Sequence, residues 1–356
     1  MRVSDFDFEL PPEAIAQHPA EPRDSARLLH VHADGSLVDL SVSDLPSLLA
    51  PGDLLATNDT RVIPARLTGI RGDATRAGPP QGGAKIEVTL HKPDSPAVWR
   101  VFARPAKKLK PRDLIVFAPG FSAVVDAKGE AGEVTLHFNV FGPALLDALH
   151  KHGVMPLPPY IKRDKEGDKA DETSYQTLFA ENDGAVAAPT ASLHYTPRLV
   201  EAIQSQGVQI AKLTLHVGAG TFLPIKVDDT RDHVMHAEWG ELSPETAEQI
   251  NQVKRNGGRI IASGTTSLRL LEAAATEDGV VHPFKGETDI FITPGYKFRI
   301  VDALLTNFHL PKSTLFMLVS AFAGLETMQA AYKHAMEQNY RFYSYGDASL
   351  LELAEK

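Results

Sequence analysis

The chain has 356 residues, 43% of them hydrophobic and 23% charged, with a formal net charge of −9 and no cysteine. That length exceeds the ~250 to 300 residues at which single cores stop growing, so two or three domains are expected. Missing cysteine excludes disulfides, thiolate metal sites and cysteine nucleophiles, and the net acidity excludes a protein that coats nucleic acid by summed phosphate neutralisation.

The first residues, MRVSDFDFELPPEAI, place acids and prolines where a signal peptide needs a basic start and an apolar run of ~7 to 15 residues. No apolar stretch reaches the ~18 residues of a membrane span, so a cytoplasmic protein is expected. LPPEAIAQ and DLPSLLA read as short helices, and DLLATN reads as a strand. From Ala65 to Asn139 the pattern is all strand: ARLTGIR, KIEVTLHK, WRVFAR, DLIVFA, SAVVDA and EVTLHFN are short β-branched and aromatic runs divided mostly by Gly, Pro or Asp. Between the first two lies a long Gly/Pro loop, GDATRAGPPQGGA.

After Gly142, PALLDALHKHG reads as a helix stopped by Gly153. Helices and strands then alternate: TPRLVEAIQSQG, VQIAKLTLHV, SPETAEQINQVKRNGG, RIIASG, TSLRLLEAAA, TDIFIT, ALLTNF, TLFMLVSAFAG and LETMQAAYKHAMEQNY. The fold class is therefore α/β: a larger domain, residues 1–64 and 143–356, has a mixed sheet flanked by helices. Six short strands in a row suggest a small barrel or sandwich, read here as a six-stranded antiparallel β-barrel, residues 65–142, inserted in the larger domain.

Several polar segments carry candidate chemistry. RIIASG runs into a helix whose start holds Gly264, Thr265, Thr266 and Ser267. Free backbone N–H groups and hydroxyls converge there, forming either an anion site or an ordinary N-cap. Arg269, one turn in, suits a bidentate carboxylate grip. LHVGAGTF offers His216, Gly218, Gly220 and Thr221 as either a ligand-hugging turn or a plain β-turn. APTASLHYT holds Thr190, Ser192 and His194; the histidine is a general acid or base, or a hydrogen-bonded scaffold residue. HVMHAEWGEL contains His233, His236 and Glu238, without the HExxH order of a metal helix. TNDTRVIPAR supplies Asn58, Asp59, Thr60 and Arg61 in one polar loop at the domain junction, and TNFHLPKST supplies Asn307, His309, Lys312 and Ser313 in another. YRFYSYGDASLLE places Tyr343, Tyr345 and Asp347 on a Tyr-rich strand that stacks on a purine or simply packs. RPAKKLKPR gathers Arg104, Lys107, Lys108, Lys110 and Arg112, five cations in nine residues, and Lys162, Arg163 and Lys165 form a second group. Each is a docking patch or a solvated loop.

Together TNDTRVIPARLTG, MPLPPYI, YQTLFA, AVAAPTASLHYT, LHVGAGTF, GTTSLRLLE, FITPGYKF, LLTNFHLPKSTLFMLVSAFAG and YRFYSYGDA resemble the S-adenosylmethionine:tRNA ribosyltransferase-isomerases of queuosine biosynthesis, from about residue 1 to 351. Ser192 and Ser263 depart from that family's pattern, which has Gly and an aliphatic residue there. The resemblance implies transfer of the ribosyl part of S-adenosyl-L-methionine to 7-aminomethyl-7-deazaguanine at the wobble position of a GUN-anticodon tRNA. The ribose is isomerised to an epoxycyclopentane, epoxyqueuosine forms, and adenine and methionine leave. It implies no metal, no membrane partner, and a monomer. His194, His309, Glu238 and Asp347 are then the expected proton-transfer set. Asn58, Asp59, Arg61, Thr190, His216, Gly218, Gly220, Thr221, Gly264, Thr265, Thr266, Arg269, Asn307 and Tyr345 are expected to bind substrate. Lys107, Lys108 and Lys110 are expected to hold the tRNA backbone. Two other readings stay open: a conventional S-adenosylmethionine-dependent tRNA methyltransferase, and a tRNA-binding module without catalysis.

Overall fold

The computed structural model describes residues 1–73, 83–130, 132–163, 168–218 and 225–355. Gly220 and Thr221, Lys165, and most of the Gly/Pro loop lie outside the described residues. The chain opens with β1 (Arg27–Val31), β2 (Leu37–Ser41), α1 (Leu45–Leu48), β3 (Leu54–Asn58) and β4 (Thr60–Val62). Six strands follow: β5 (Arg66–Asp73), β6 (Lys85–Pro93), β7 (Val98–Arg104), β8 (Asp113–Ala118), β9 (Phe121–Lys128) and β10 (Glu133–Phe138). Next come α2 (Pro143–His152), α3 (Ala170–Ser174), β11 (Asn182–Ala185), α4 (Pro197–Ser205), β12 (Gln209–Leu215), β13 (Glu238–Leu242), α5 (Pro244–Arg255) and β14 (Ile260–Ser263). The last elements are α6 (Thr265–Ala274), β15 (Phe284–Thr288), β16 (Ala303–Asn307), α7 (Thr314–Ala323), α8 (Leu325–Glu337) and β17 (Ala348–Glu352).

β5 to β10 close into an antiparallel barrel in the order β10-β7-β6-β5-β8-β9. Alternation explains it: in β6, Ile86, Val88 and Leu90 are buried while Lys85 and Glu87 are exposed, the two-residue period of a strand with one wet face. Leu145 and Leu149 of α2 join this core.

The second sheet has nine strands in the order β15-β13-β12-β3-β14-β16-β17-β1-β2. Its centre is apolar on both faces. Leu54, Ala56, Ile260 and Ala262 join one core, while Leu55 and Ile261, one residue out of phase, join the other. Buried residues of α5, α6, α7 and α8 cover the first face, and residues of α1 and α4 cover the second. β12, β3, β14 and β16 are mutually parallel, and β17 runs antiparallel to β16, as β13 does to β12. One edge of the sheet therefore carries the carboxyl ends of the parallel strands together with the starts of β13 and β17. In open α/β sheets that edge is where ligands bind.

Four local expectations are corrected. LPPEAIAQ holds only a 3₁₀ turn, Pro12–Ala14, because the prolines lack N–H donors and Ile15 bridges to Phe342. TDIFIT is not the strand; Phe284–Thr288 is. Its partner β13 begins at Glu238 opposite Thr288, so the ladder ends there and Ile290, Phe291 and Ile292 pack on the core as irregular chain. The Tyr-rich segment is a turn before β17, with Tyr343 at φ 73° and the Gly346 N–H donating to the Tyr343 carbonyl at 2.8 Å. TNDTRV is not a polar loop; it is strand apart from Asp59, and Arg61 alone among Asn58 to Val62 is exposed. β1, β2, α3, β11 and β13 were not anticipated. No helix among the described residues is long and apolar enough to cross a membrane.

Candidate active site

The sheet edge brings together most of the expected site residues. At the end of β3, Asn58 is wholly buried: its Nδ2 donates to the Leu215 carbonyl at 2.9 Å, and its Oδ1 accepts from the Leu215 and Thr60 amides. It staples β3 to β12 where their ladder ends. Asp59 accepts from the Thr214 hydroxyl at 2.6 Å. Just beyond β12, His216 Nδ1 lies 2.7 Å from the Thr60 hydroxyl, and its ring stacks on Trp239 with centroids 5.3 Å apart. Burial holds His216 below the usual imidazole range. Gly184 fits beneath it: a Cβ there would lie 2.8 Å from the imidazole, and its φ of 154° is one that side chains rarely adopt.

β14 enters α6 through Gly264, whose φ of 93° turns strand into helix where no Cβ is tolerated without strain. The helix starts with Thr265 and Thr266. The Thr266 hydroxyl is buried with no hydrogen-bond partner. Arg269 Nη1 donates to Glu238 Oε2 at 2.5 Å, both side chains being almost fully buried. The same guanidinium keeps Nε and Nη2 buried and unpartnered. The Gly218 amide donates to the other Glu238 oxygen at 3.3 Å. Thus the residues after β12, at the start of β13 and in α6 form one linked group.

A third group lies at the end of β16. Asn307 Nδ2 donates to His194 Nε2 at 3.2 Å, while Asn307 Oδ1 is buried without a partner. His194 ends the 3₁₀ turn Thr190–His194, and burial lowers its pKa to about 4, so the imidazole is neutral. Thr190, half-buried, begins that turn. Ser192, in the same turn, hydrogen-bonds Ser263 at 3.0 Å, both hydroxyls buried. The two departures from the family pattern thus touch each other. His309 lies 3.0 Å from the Thr306 hydroxyl and is fully buried, which pushes its pKa down to about 3.

Three expected residues stand elsewhere or are fully engaged. Both Asp347 oxygens are taken: Oδ1 accepts from the Arg27 amide and Arg341 Nη2, each at 3.1 Å, and Oδ2 from the Arg341 amide at 2.8 Å. The Tyr345 hydroxyl donates to Asp171 at 2.9 Å, in a network sealed by the bidentate Arg163–Asp171 pair. Arg61 turns outward and donates to the Ala180 carbonyl. Trp239, and Tyr160, whose ring lies tilted against that of Tyr343 with centroids 4.0 Å apart, were not singled out from sequence. A tryptophan beside an acid in EWGEL was the only available signal.

Across the molecule, Arg104, Lys107, Lys108, Lys110 and Arg112 are exposed around the 3₁₀ turn Ala106–Lys108 of the barrel. Leu109, buried in the barrel core, and the Lys128 ammonium on its carbonyl pin this turn. No ion pair engages any of the five cations among the described residues.

The chain matches the family described as queuosine biosynthesis protein over residues 3–351. It is 60% identical over 355 residues to an S-adenosylmethionine:tRNA ribosyltransferase-isomerase of Rhodospirillum rubrum, covering 100% of this chain and 99% of the relative. A protein of the same name from Parvibaculum lavamentivorans is 59% identical over 352 residues, covering 99% of each. The crystal structure of a Thermotoga maritima S-adenosylmethionine tRNA ribosyltransferase is similar at 34% identity with a TM-score of 0.55, over 98% of this chain and 100% of that one. An α/β sheet with its ligand edge lined by buried polar groups, matched to such relatives, defines an enzyme of the transferase and isomerase class. The chain belongs to the queuosine biosynthesis protein family.

Proposed function

We propose that this enzyme transfers and isomerises the ribosyl moiety of S-adenosyl-L-methionine onto 7-aminomethyl-7-deazaguanine at the wobble position of a GUN-anticodon tRNA. Adenine and methionine depart, and epoxyqueuosine remains in the tRNA. The observation that carries the reading is the Arg269 guanidinium, held by Glu238 through one nitrogen while two others are buried without acceptors. Buried donors left unmade cost about 1–3 kcal/mol each, so such a group is built for an anion. With the unpartnered Thr266 hydroxyl and the α6 amides it matches the carboxylate of the methionine portion.

The sulfonium acidifies the C5′ hydrogens, so a base is required there, and departing adenine requires a donor. His194, neutral and joined to Asn307, is the proposed proton carrier. Glu238 is the partner that fixes Arg269, while His309 braces the end of β16 through Thr306 and Asp347 holds the turn before β17. Asn58, Asp59 and His216 shape the floor of the site. The inserted barrel, residues 65–142, docks the tRNA backbone through Lys107, Lys108 and Lys110, whose phosphate contacts position the substrate while the site reads the base. The protein works as a cytoplasmic monomer.

The test is to incubate the enzyme with S-adenosyl-L-methionine and tRNA bearing the aminomethyl base. Free adenine and methionine in equal amounts are the expected products. S-adenosylhomocysteine would instead mark a methyltransferase, and no turnover with retained tRNA would mark a binding module.

A further inference from the structure

The opposite edge of the nine-stranded sheet carries a second polar cluster. β1 and β17 are parallel and adjacent, with Val31 opposite Leu351, so both end on the edge away from the candidate active site. His30 and His32, two residues apart, share one face of the chain at the end of β1. Glu352 closes β17 beside them. His30 Nε2 lies 3.0 Å from Glu352 Oε1, His32 Nδ1 lies 3.5 Å from the same oxygen, and the two imidazole rings are 3.9 Å apart. One ligand atom from each residue falls within 4.8 Å of the others.

We infer that His30, His32 and Glu352 form a binding site for a divalent transition-metal ion of the zinc or cobalt class. Ligand bonds of ~2.0–2.1 Å in a tetrahedron put neighbouring ligand atoms roughly 3.3 Å apart, close to the 3.0 and 3.5 Å that already separate Glu352 Oε1 from the two imidazole nitrogens. Two imidazoles and a carboxylate are borderline donors suited to such ions, whereas calcium or magnesium would demand more oxygen. The carboxylate is oriented from outside the cluster, since Glu352 Oε2 accepts from the Ala33 amide at 3.1 Å. Such support fixes a ligand without consuming its free oxygen. Arg259, the cation whose charge reaches both Glu352 and His30, is held by Asp53 through Nε and Nη2, and that carboxylate offsets its charge beside the cluster. His30 is buried while His32 and Glu352 are about one-third exposed, which leaves a fourth position open to water. The ion's role is to clamp β1 to β17; it takes no part in ribosyl transfer.

The test is to strip the full-length protein with chelator and titrate it with Co2+, following d–d absorption, then displace with Zn2+. One tightly held equivalent with the intense spectrum of four-coordination is expected. His32→Ala and Glu352→Gln should each weaken binding by on the order of 10–100-fold or more, while ribosyl transfer persists. The protein has 14 histidines, so adventitious binding is separated by the variants. Equal affinity in wild type and His32→Ala, or a weak six-coordinate spectrum, overturns the site. His32 is about one-third exposed, so its replacement empties no part of the core, and the test stands even if Glu352→Gln fails to fold.

Discussion

Arg269 and Glu238 meet at 2.5 Å across the gap between α6 and β13, both sealed from water, although 31 residues separate them in the chain. Removing one partner of such a pair leaves an uncompensated buried charge, at a cost of about 3–5 kcal/mol. Glu238→Gln should therefore lower stability by that order, readable in urea melts. Arg269→Lys keeps the charge but loses the planar fork, and should raise KM for S-adenosyl-L-methionine while KM for tRNA stays constant. An unchanged KM for the nucleoside substrate would remove Arg269 from the carboxylate site.

Ser192 and Ser263 should behave as a coupled pair. Either Ser192→Gly or Ser263→Ala alone strands the other hydroxyl in the interior, costing about 1–3 kcal/mol. The double variant should recover part of that loss, with a coupling of about 0.5–3 kcal/mol in a double-mutant cycle. Strict additivity would mean the 3.0 Å contact contributes nothing.

The buried histidines set an acid limit on stability. The unfolded chain protonates a histidine near ~6.5, while His309 stays neutral in the fold down to about 3. Between those values the unfolded state binds more protons, so stability rises with pH and is lost as pH falls through 6.5 toward 3. One such histidine contributes a slope of up to about 1.4 kcal/mol per pH unit. His309→Gln should flatten the dependence of unfolding free energy on pH by up to that amount below pH ~6. Parallel curves for the variant and the wild type would contradict a neutral His309.

The barrel cations should act on tRNA affinity alone. Lys107→Ala, Lys108→Ala and Lys110→Ala should each weaken tRNA binding and reduce the salt slope by roughly 0.7–0.9. Turnover at saturating tRNA should hold. A fall in kcat without a change in salt slope would place tRNA elsewhere.

Gly184→Ala should push the His216 imidazole off Trp239, because the new methyl would lie 2.8 Å from the ring. Activity should drop more than stability, measured as kcat/KM against the urea midpoint. If turnover is intact, the His216 stack lies outside the reaction.

How much of this was legible depended on what each segment had to satisfy. The barrel strands were readable because each presents one wet and one dry face, as Val88 and Glu87 do in β6. The parallel strands at the sheet centre were readable as short apolar runs, Ile260 to Ala262 among them. β13 was not, because EWGEL buries Glu238 through a partner 31 residues away, and a local pattern cannot reveal a paired acid. β15 was misplaced because FKGET has little apolar content and is strand only through its antiparallel partner. The site followed the same division. Its segments were visible, but Asn307 with His194, and Ser192 with Ser263, are joined across 113 and 71 residues by the strand order. Asp347 looked like a reactive acid, and its saturation by two amides and a guanidinium is a tertiary fact.

The stacking of Trp239 on His216 also equips the molecule for observation. The chain has two tryptophans, and the other, Trp99, sits in the barrel wall. Each part of the protein therefore carries one intrinsic fluorophore. A Trp99→Phe chain would emit from the sheet edge alone, and quenching by a neighbouring imidazole would respond to whatever displaces that ring. Nucleoside arrival and tRNA docking could then be timed separately by stopped flow, without attaching a dye to either substrate.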